Sequence, residues 1–168
     1  MDSSNGHVIW LRRWSAPLRE PRAANPPWQL PSPVVANDCV FWIQPDQSTL
    51  VCMSAQDGST KWSTMLGVSE QLPAARSLLA DQSRVYLLGE DIVALDINDP
   101  RHTLWKLSDQ LRERNPVRGE CALGTDQNGQ PLLAVPLTNK VLLLDPATGR
   151  ALGECPLQAG GNLSLQNG

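Results

Sequence analysis

A chain of 168 residues, 41% hydrophobic and 18% charged, has the length and apolar content for one domain with a sizeable core, which excludes a disordered polar tail. A net charge of −3 gives no electrostatic footprint for nucleic acid or an anionic membrane surface as partner. No stretch approaches the ~18 consecutive apolar residues of a membrane span, and residues 1–10 lack the basic start and long apolar run of a secretory leader.

Six tryptophans stand against one tyrosine, Tyr86, and one phenylalanine, Phe41, a skew that implies a repeated structural task for tryptophan. In chain order, Gly6-His7-Val8-Ile9-Trp10 first places a tryptophan four residues after a turn glycine. Residues 11–31 are rich in proline and arginine and read as an extended surface loop. Inside it Arg12, Arg13, Trp14 and Trp28 interleave the residue types favoured in binding hot spots, so they are candidate partner contacts. The plainer reading is a solvated loop whose charge Glu20 dilutes.

Three units of similar plan follow, each of four short β-prone runs separated by Pro, Asn, Asp and Gly turns. The first, residues 33–65, contains Val34–Ala36, Cys39–Ile43, Thr49–Ala55 and Thr60–Met65. Its last turn repeats the opening pattern as Gly58-Ser59-Thr60-Lys61-Trp62. The second, residues 76–107, contains Ser77–Ala80, Arg84–Leu88, Ile92–Asp96 and His102–Leu107. A looser turn, Asp96-Ile97-Asn98-Asp99-Pro100, leads there to Trp105. Residues 106–120 hold a possible helical turn N-capped by Ser108, with little apolar surface to bury beyond Leu111. The third unit, residues 121–157, contains Cys121–Thr125, Pro131–Val135, Val141–Asp145 and Arg150–Leu157. Here Gly149 keeps its place and Gly153 stands where tryptophan is expected. The repeat length of about 40–50 residues is that of propeller blades.

In every unit the third run is almost wholly apolar, as in Ile92-Val93-Ala94-Leu95. Such a run reads as a strand buried on both faces, the situation of a middle strand in stacked blades. The fold expected is therefore all-β, a partial β-propeller of four-stranded antiparallel blades. Residues 2–10 read as the tail of a blade and residues 162–168 as the first strand of another. The chain is thus expected to be a fragment, or its ring to be completed by other material. Open blade edges would favour self-association, and copies joined head to tail are a further way to close a ring.

At these residues a family resemblance emerges. Asp145-Pro146-Ala147-Thr148-Gly149 resembles the Asp-x-x-Thr-Gly element of pyrroloquinoline-quinone-type propeller repeats, in which a tryptophan follows four residues after the glycine. Trp10 and Trp62 match that position, Trp105 matches with a one-residue shift, and Gly153 departs from it. Ser54 stands where the first full unit would carry the family's aspartate. The resemblance implies that Trp10, Trp62 and Trp105 pack between blades, with Gly58, Gly149, Asp145 and Thr148 building the turns that receive them.

It also implies two functional branches. One holds non-catalytic scaffold and sensor propellers, several in the bacterial cell envelope or periplasm. The other holds dehydrogenases that bind the quinone and a calcium ion. The four cysteines here, Cys39, Cys52, Cys121 and Cys155, include none of the adjacent pairs common in those enzymes. They also form no CxxC, and with His7 and His102 far apart there is no zinc spacing, so they read as buried small hydrophobes. Asp96-Ile97-Asn98-Asp99 lacks the spacing of a calcium loop and reads as a turn. Asp126-Gln127-Asn128-Gly129 reads as a hairpin, and His102 as a solvated or turn-capping side chain. The sequon Asn162-Leu163-Ser164 reads as accidental. The expectation is a non-catalytic protein-interaction or scaffold module with no catalytic or metal residues and no cofactor. The alternative is a fragment of a quinone-dependent dehydrogenase, and under it alone pyrroloquinoline quinone and calcium would be cofactors.

Overall fold

A computed structural model describes residues 8–12, 32–44, 48–69, 72–108, 117, 119–157 and 163–165. Among them are twelve strands and no helix. The first sheet runs β1 (Val34–Ala36), β2 (Cys39–Ile43), β3 (Thr49–Ser54), β4 (Thr60–Met65). The second runs β5 (Ala75–Ala80), β6 (Arg84–Gly89), β7 (Ile92–Asp96), β8 (Thr103–Leu107), and the third β9 (Ala122–Thr125), β10 (Pro131–Pro136), β11 (Val141–Leu144), β12 (Ala151–Cys155). In each, chain neighbours pair antiparallel in simple succession, so the protein is a stack of four-stranded propeller blades.

Strand limits follow from their partners. β12 stops at Cys155, short of Leu157, because Cys155 pairs with Val141, the first residue of β11, and Pro156 has no N–H to donate. β5 starts at Ala75 rather than Ser77 because an irregularity at Arg76 lets Ala75 reach Gly89 at the end of β6. The hairpin between β1 and β2 turns on Asn37 and Asp38, with φ of 47° and 55°. Both residue types tolerate the left-handed region that a two-residue hairpin demands. The helical turn expected after Ser108 falls on residues 109–116, outside the described residues.

Burial explains why the third runs are apolar throughout. In the middle sheet Val85, Leu87, Val93 and Leu95 pack toward the first sheet with Phe41, Ile43, Leu50 and Cys52. The intervening Tyr86, Leu88, Ile92 and Ala94 pack toward the third with Leu133, Val135, Leu142 and Leu144. Successive side chains point to opposite faces, and here both faces are interior.

One feature recurs that the sequence pattern did not reveal. Each outer strand carries a bulge one residue before the tryptophan position. Cys52 pairs with Trp62 but Met53 with Thr60, which leaves Lys61 over. Ala94 pairs with Trp105 but Leu95 with Thr103, leaving Leu104, and β12 leaves Leu152 in the same way. The bulges put Trp62, Trp105 and Gly153 at one structural position, whatever the length of the preceding turn.

Candidate functional site

The built features among the described residues are junctions at the blade turns, each formed by a tryptophan and the turn it meets. The indole Nε1 of Trp10 donates to the Ala55 carbonyl at 2.9 Å, that of Trp62 to Ile97 at 3.1 Å, and that of Trp105 to Pro146 at 3.0 Å. Ala55, Ile97 and Pro146 each directly follow the residue that anchors the turn, Ser54, Asp96 or Asp145. A half-buried tryptophan thus covers a turn with its ring and satisfies a carbonyl there with its one donor.

Glycine is required where the ring lands. A Cβ added at Gly58 would lie 2.7 Å from the Trp10 ring, and one at Gly149 would lie 2.6 Å from the Trp105 ring. Both glycines have positive φ, 71° and 70°, so the turn needs them for its backbone as well. Around Gly153, by contrast, an added Cβ meets nothing within 4 Å.

Side-chain oxygens hold the turns. Asp145 Oδ1 accepts from the Ala147 amide and Oδ2 from the Thr148 hydroxyl, both at 2.8 Å, and these bonds depress its carboxyl. In the first blade the Ser54 hydroxyl takes the aspartate's place, accepting from the amides of Gln56 at 3.2 Å and Asp57 at 3.4 Å. Asp57 then accepts from the amide and hydroxyl of Ser59, which hold its carboxyl down at about 2. Asp96 Oδ1 accepts from the Asn98 amide, and Asp99 Oδ1 from the amide and Nε of Arg101. Asp126 Oδ1 accepts from the amides of Asn128 and Gln130. These carboxylates each accept hydrogen bonds from their own turns. Among the described residues no three His, Cys, Asp or Glu side chains converge as metal ligands.

At the junction of the second and third blades, Tyr86 lies 5.9 Å from Trp105, centroid to centroid, as Phe41 lies 5.8 Å from Trp62 in the first blade. The Tyr86 hydroxyl donates to Asp81 Oδ2 at 2.6 Å and also approaches the Pro146 carbonyl at 3.2 Å. Burial and the Asp81 carboxylate push this phenol well up. Burial also works to raise Asp81, but the Tyr86 hydroxyl, the amides of Ser83 and Arg84 and the Arg84 guanidinium outweigh it, and its carboxyl is lowered. No sequence signal marked this pair, because Tyr86 sits inside the continuous apolar run of β6.

The remaining candidates disperse. Arg12 donates from Nη1 to the Gly58 carbonyl at 3.1 Å and to Thr60 Oγ1 at 2.6 Å, beside the Trp10 junction. Arg13, Trp14, Trp28 and Asn162 lie outside the described residues. His102 is exposed. Leu163–Leu165 form no strand ladder: the Leu163 amide bonds to the Glu120 carbonyl at 3.1 Å, and Leu165 covers Gly124. All four cysteines are free thiols, buried except for Cys155, which is half-buried.

A family model described as outer membrane protein assembly factor BamB matches residues 1–166. No curated protein sequence matches the chain. Its fold is similar to that of BamB from Moraxella catarrhalis, at 15% identity and TM-score 0.52 over 74% of this chain and 35% of that one. It is also similar to the Neurospora crassa Pan2 WD40 domain, at 15% identity and TM-score 0.53 over 77% of this chain and 36% of that one. A third is the quinohemoprotein alcohol dehydrogenase ADHIIG from Pseudomonas putida HK5, at 16% identity and TM-score 0.50 over 76% of this chain and 21% of that one. The chain therefore spans little more than a third of the first structure and less of the enzyme.

Proposed function

The chain belongs to the propeller family described as outer membrane protein assembly factor BamB, and from that membership we propose that it acts as a non-catalytic scaffold, a set of blades that binds a protein partner of the cell envelope. The observation that carries this reading is the fate of the polar groups. The carboxylates at the blade turns are spent on turn amides and hydroxyls, and the indole donors on carbonyls of the adjoining blade, so the recurring chemistry serves stacking. What faces outward includes apolar side chains on the outer strands, Met65 at the end of β4 and the bulge residues Leu104 and Leu152. Side chains of that kind on a rigid frame suit a protein surface.

Two measurements test the reading. Photo-crosslinking groups placed singly at Met65, Leu104 and Leu152, in cells of the source organism, are expected to give one discrete envelope-protein adduct. Their failure to do so at all three positions overturns the proposed mode. Equilibrium dialysis of the full chain against pyrroloquinoline quinone with calcium is expected to show no saturable binding. Saturable, calcium-dependent uptake would replace the scaffold with a dehydrogenase segment.

A further inference from the structure

The second blade carries a polar group at its junction with the third that stacking does not require. Tyr86 pairs with Ala94, and Ala94 with Trp105. The residues so placed in the other blades are Phe41, across from Cys52 and Trp62, and Ala134, across from Leu143. Phe41 meets Trp62 at 5.8 Å and 44°, and Tyr86 meets Trp105 at 5.9 Å and 47°. The two rings do the same work, so the hydroxyl of the fully buried Tyr86 is an addition to it.

That hydroxyl has one hydrogen and two acceptors within reach. Asp81 Oδ2, in the turn between β5 and β6, lies at 2.6 Å, and the Pro146 carbonyl of the third blade at 3.2 Å. The carboxylate takes the hydrogen, because bonds from a hydroxyl to an anionic oxygen are the short and strong ones. Pro146 then accepts from Trp105 Nε1 alone, at 3.0 Å, although a carbonyl has two lone pairs.

We propose that Asp81 and Tyr86 form an acid-operated switch. With Asp81 ionised, the phenol hydrogen bonds within the second blade. With Asp81 protonated, the same hydrogen turns to Pro146 and ties the second blade to the third. The added proton comes from solvent, which reaches the half-buried Asp81. The protonated carboxyl in turn has a hydrogen to offer the phenol oxygen. Tyr86 keeps its own hydrogen throughout, since burial and the Asp81 carboxylate push the phenol up.

The charged groups around the pair fix where the switch operates. Arg84 Nη1 lies 3.1 Å from the same Asp81 oxygen, and Asp96, across from Arg84 on β7, accepts from the Asn98 amide. In the facing turn of the third blade Asp145 accepts from Ala147 and Thr148. Burial works to raise the Asp81 carboxyl, while the Tyr86 hydroxyl, the Ser83 and Arg84 amides and the Arg84 guanidinium bring it below 3.8 on balance. Asp81 is therefore ionised above that value, and the handover falls below it.

Tyr86 is the one tyrosine of the chain, so tyrosine labelled with carbon-13 at Cζ gives a single NMR signal. The full chain is titrated from neutral pH into acid, with circular dichroism marking any unfolding. The Tyr86 signal and the Trp105 indole N–H, assigned by its loss in Trp105→Phe, are expected to move together with a midpoint below 3.8. Asp81→Ala leaves the phenol only Pro146, and is expected to hold both signals at their acid positions at neutral pH. Tyr86→Phe is expected to abolish the Trp105 shift. A Tyr86 signal that stays put until the chain unfolds overturns the switch. So does one that still titrates in Asp81→Ala, or a Trp105 shift that persists in Tyr86→Phe.

Discussion

At a blade junction a single tryptophan does two jobs that substitutions can separate. Trp62→Ala removes a large ring from between two sheets and is expected to cost about 3–5 kcal/mol in urea unfolding. Trp62→Phe keeps most of the ring but strands the Ile97 carbonyl, and is expected to cost about 1–2 kcal/mol. The glycines are not interchangeable. Gly149→Ala must push Cβ into the Trp105 ring and hold a positive φ, so a loss of about 1–3 kcal/mol is expected. Gly153→Ala meets open space in an ordinary strand conformation and is expected to be neutral or to stabilise by up to about 1 kcal/mol. Equal effects at the two glycines in the same unfolding assay would contradict the docking geometry.

At the scale of the turn, the aspartates link stability to pH. Asp57, Asp126 and Asp145 are lowered from 3.8, to about 2 in the case of Asp57, by the amides and hydroxyls they accept from. Asp81 is lowered as well, against its own burial. A carboxyl lower in the folded than in the unfolded chain leaves the unfolded chain binding more protons between the two values, so stability rises with pH there. The contribution is whole above the unfolded value of 3.8 and is lost as pH falls through each folded value. The urea midpoint is therefore expected to hold near pH 5 and to fall toward pH 2. Asp81→Asn, in the half-buried pair with Tyr86, is expected to flatten that fall more than Asp57→Asn, whose exposed turn is screened by water.

For the molecule as a whole, the stacked sheets couple each blade to its neighbours alone. The core is two slabs, one between the first and second sheets and one between the second and third. Leu95 lies wholly in the former. Leu95→Ala is expected to cost about 2–5 kcal/mol and to release amide protection in β2, β3 and β7 well before β10 and β11. Simultaneous loss across all three sheets in native-state hydrogen exchange would show one cooperative unit instead.

Periodicity and turn chemistry made most strands legible in the one-dimensional chain. Thr60–Met65 and Ile92–Asp96 are bounded by residues that end strands for local reasons, and an unbroken apolar run such as Ile92–Leu95 implies two buried faces before any neighbour is known. The tryptophan spacing likewise announced a recurring task. What the sequence could not supply was the acceptor of each indole, because Ala55, Ile97 and Pro146 are reached through a carbonyl, which every residue has. The bulges at Lys61, Leu104 and Leu152 were hidden for a related reason: an extra residue in a ladder is defined only by the strand across from it. The contact of Lys61 with Cys39 depends on that bulge and on a partner twenty-two residues away, so it belongs to the tertiary structure alone. Local preference decides where strands begin and end, and packing across strands decides which side chains meet.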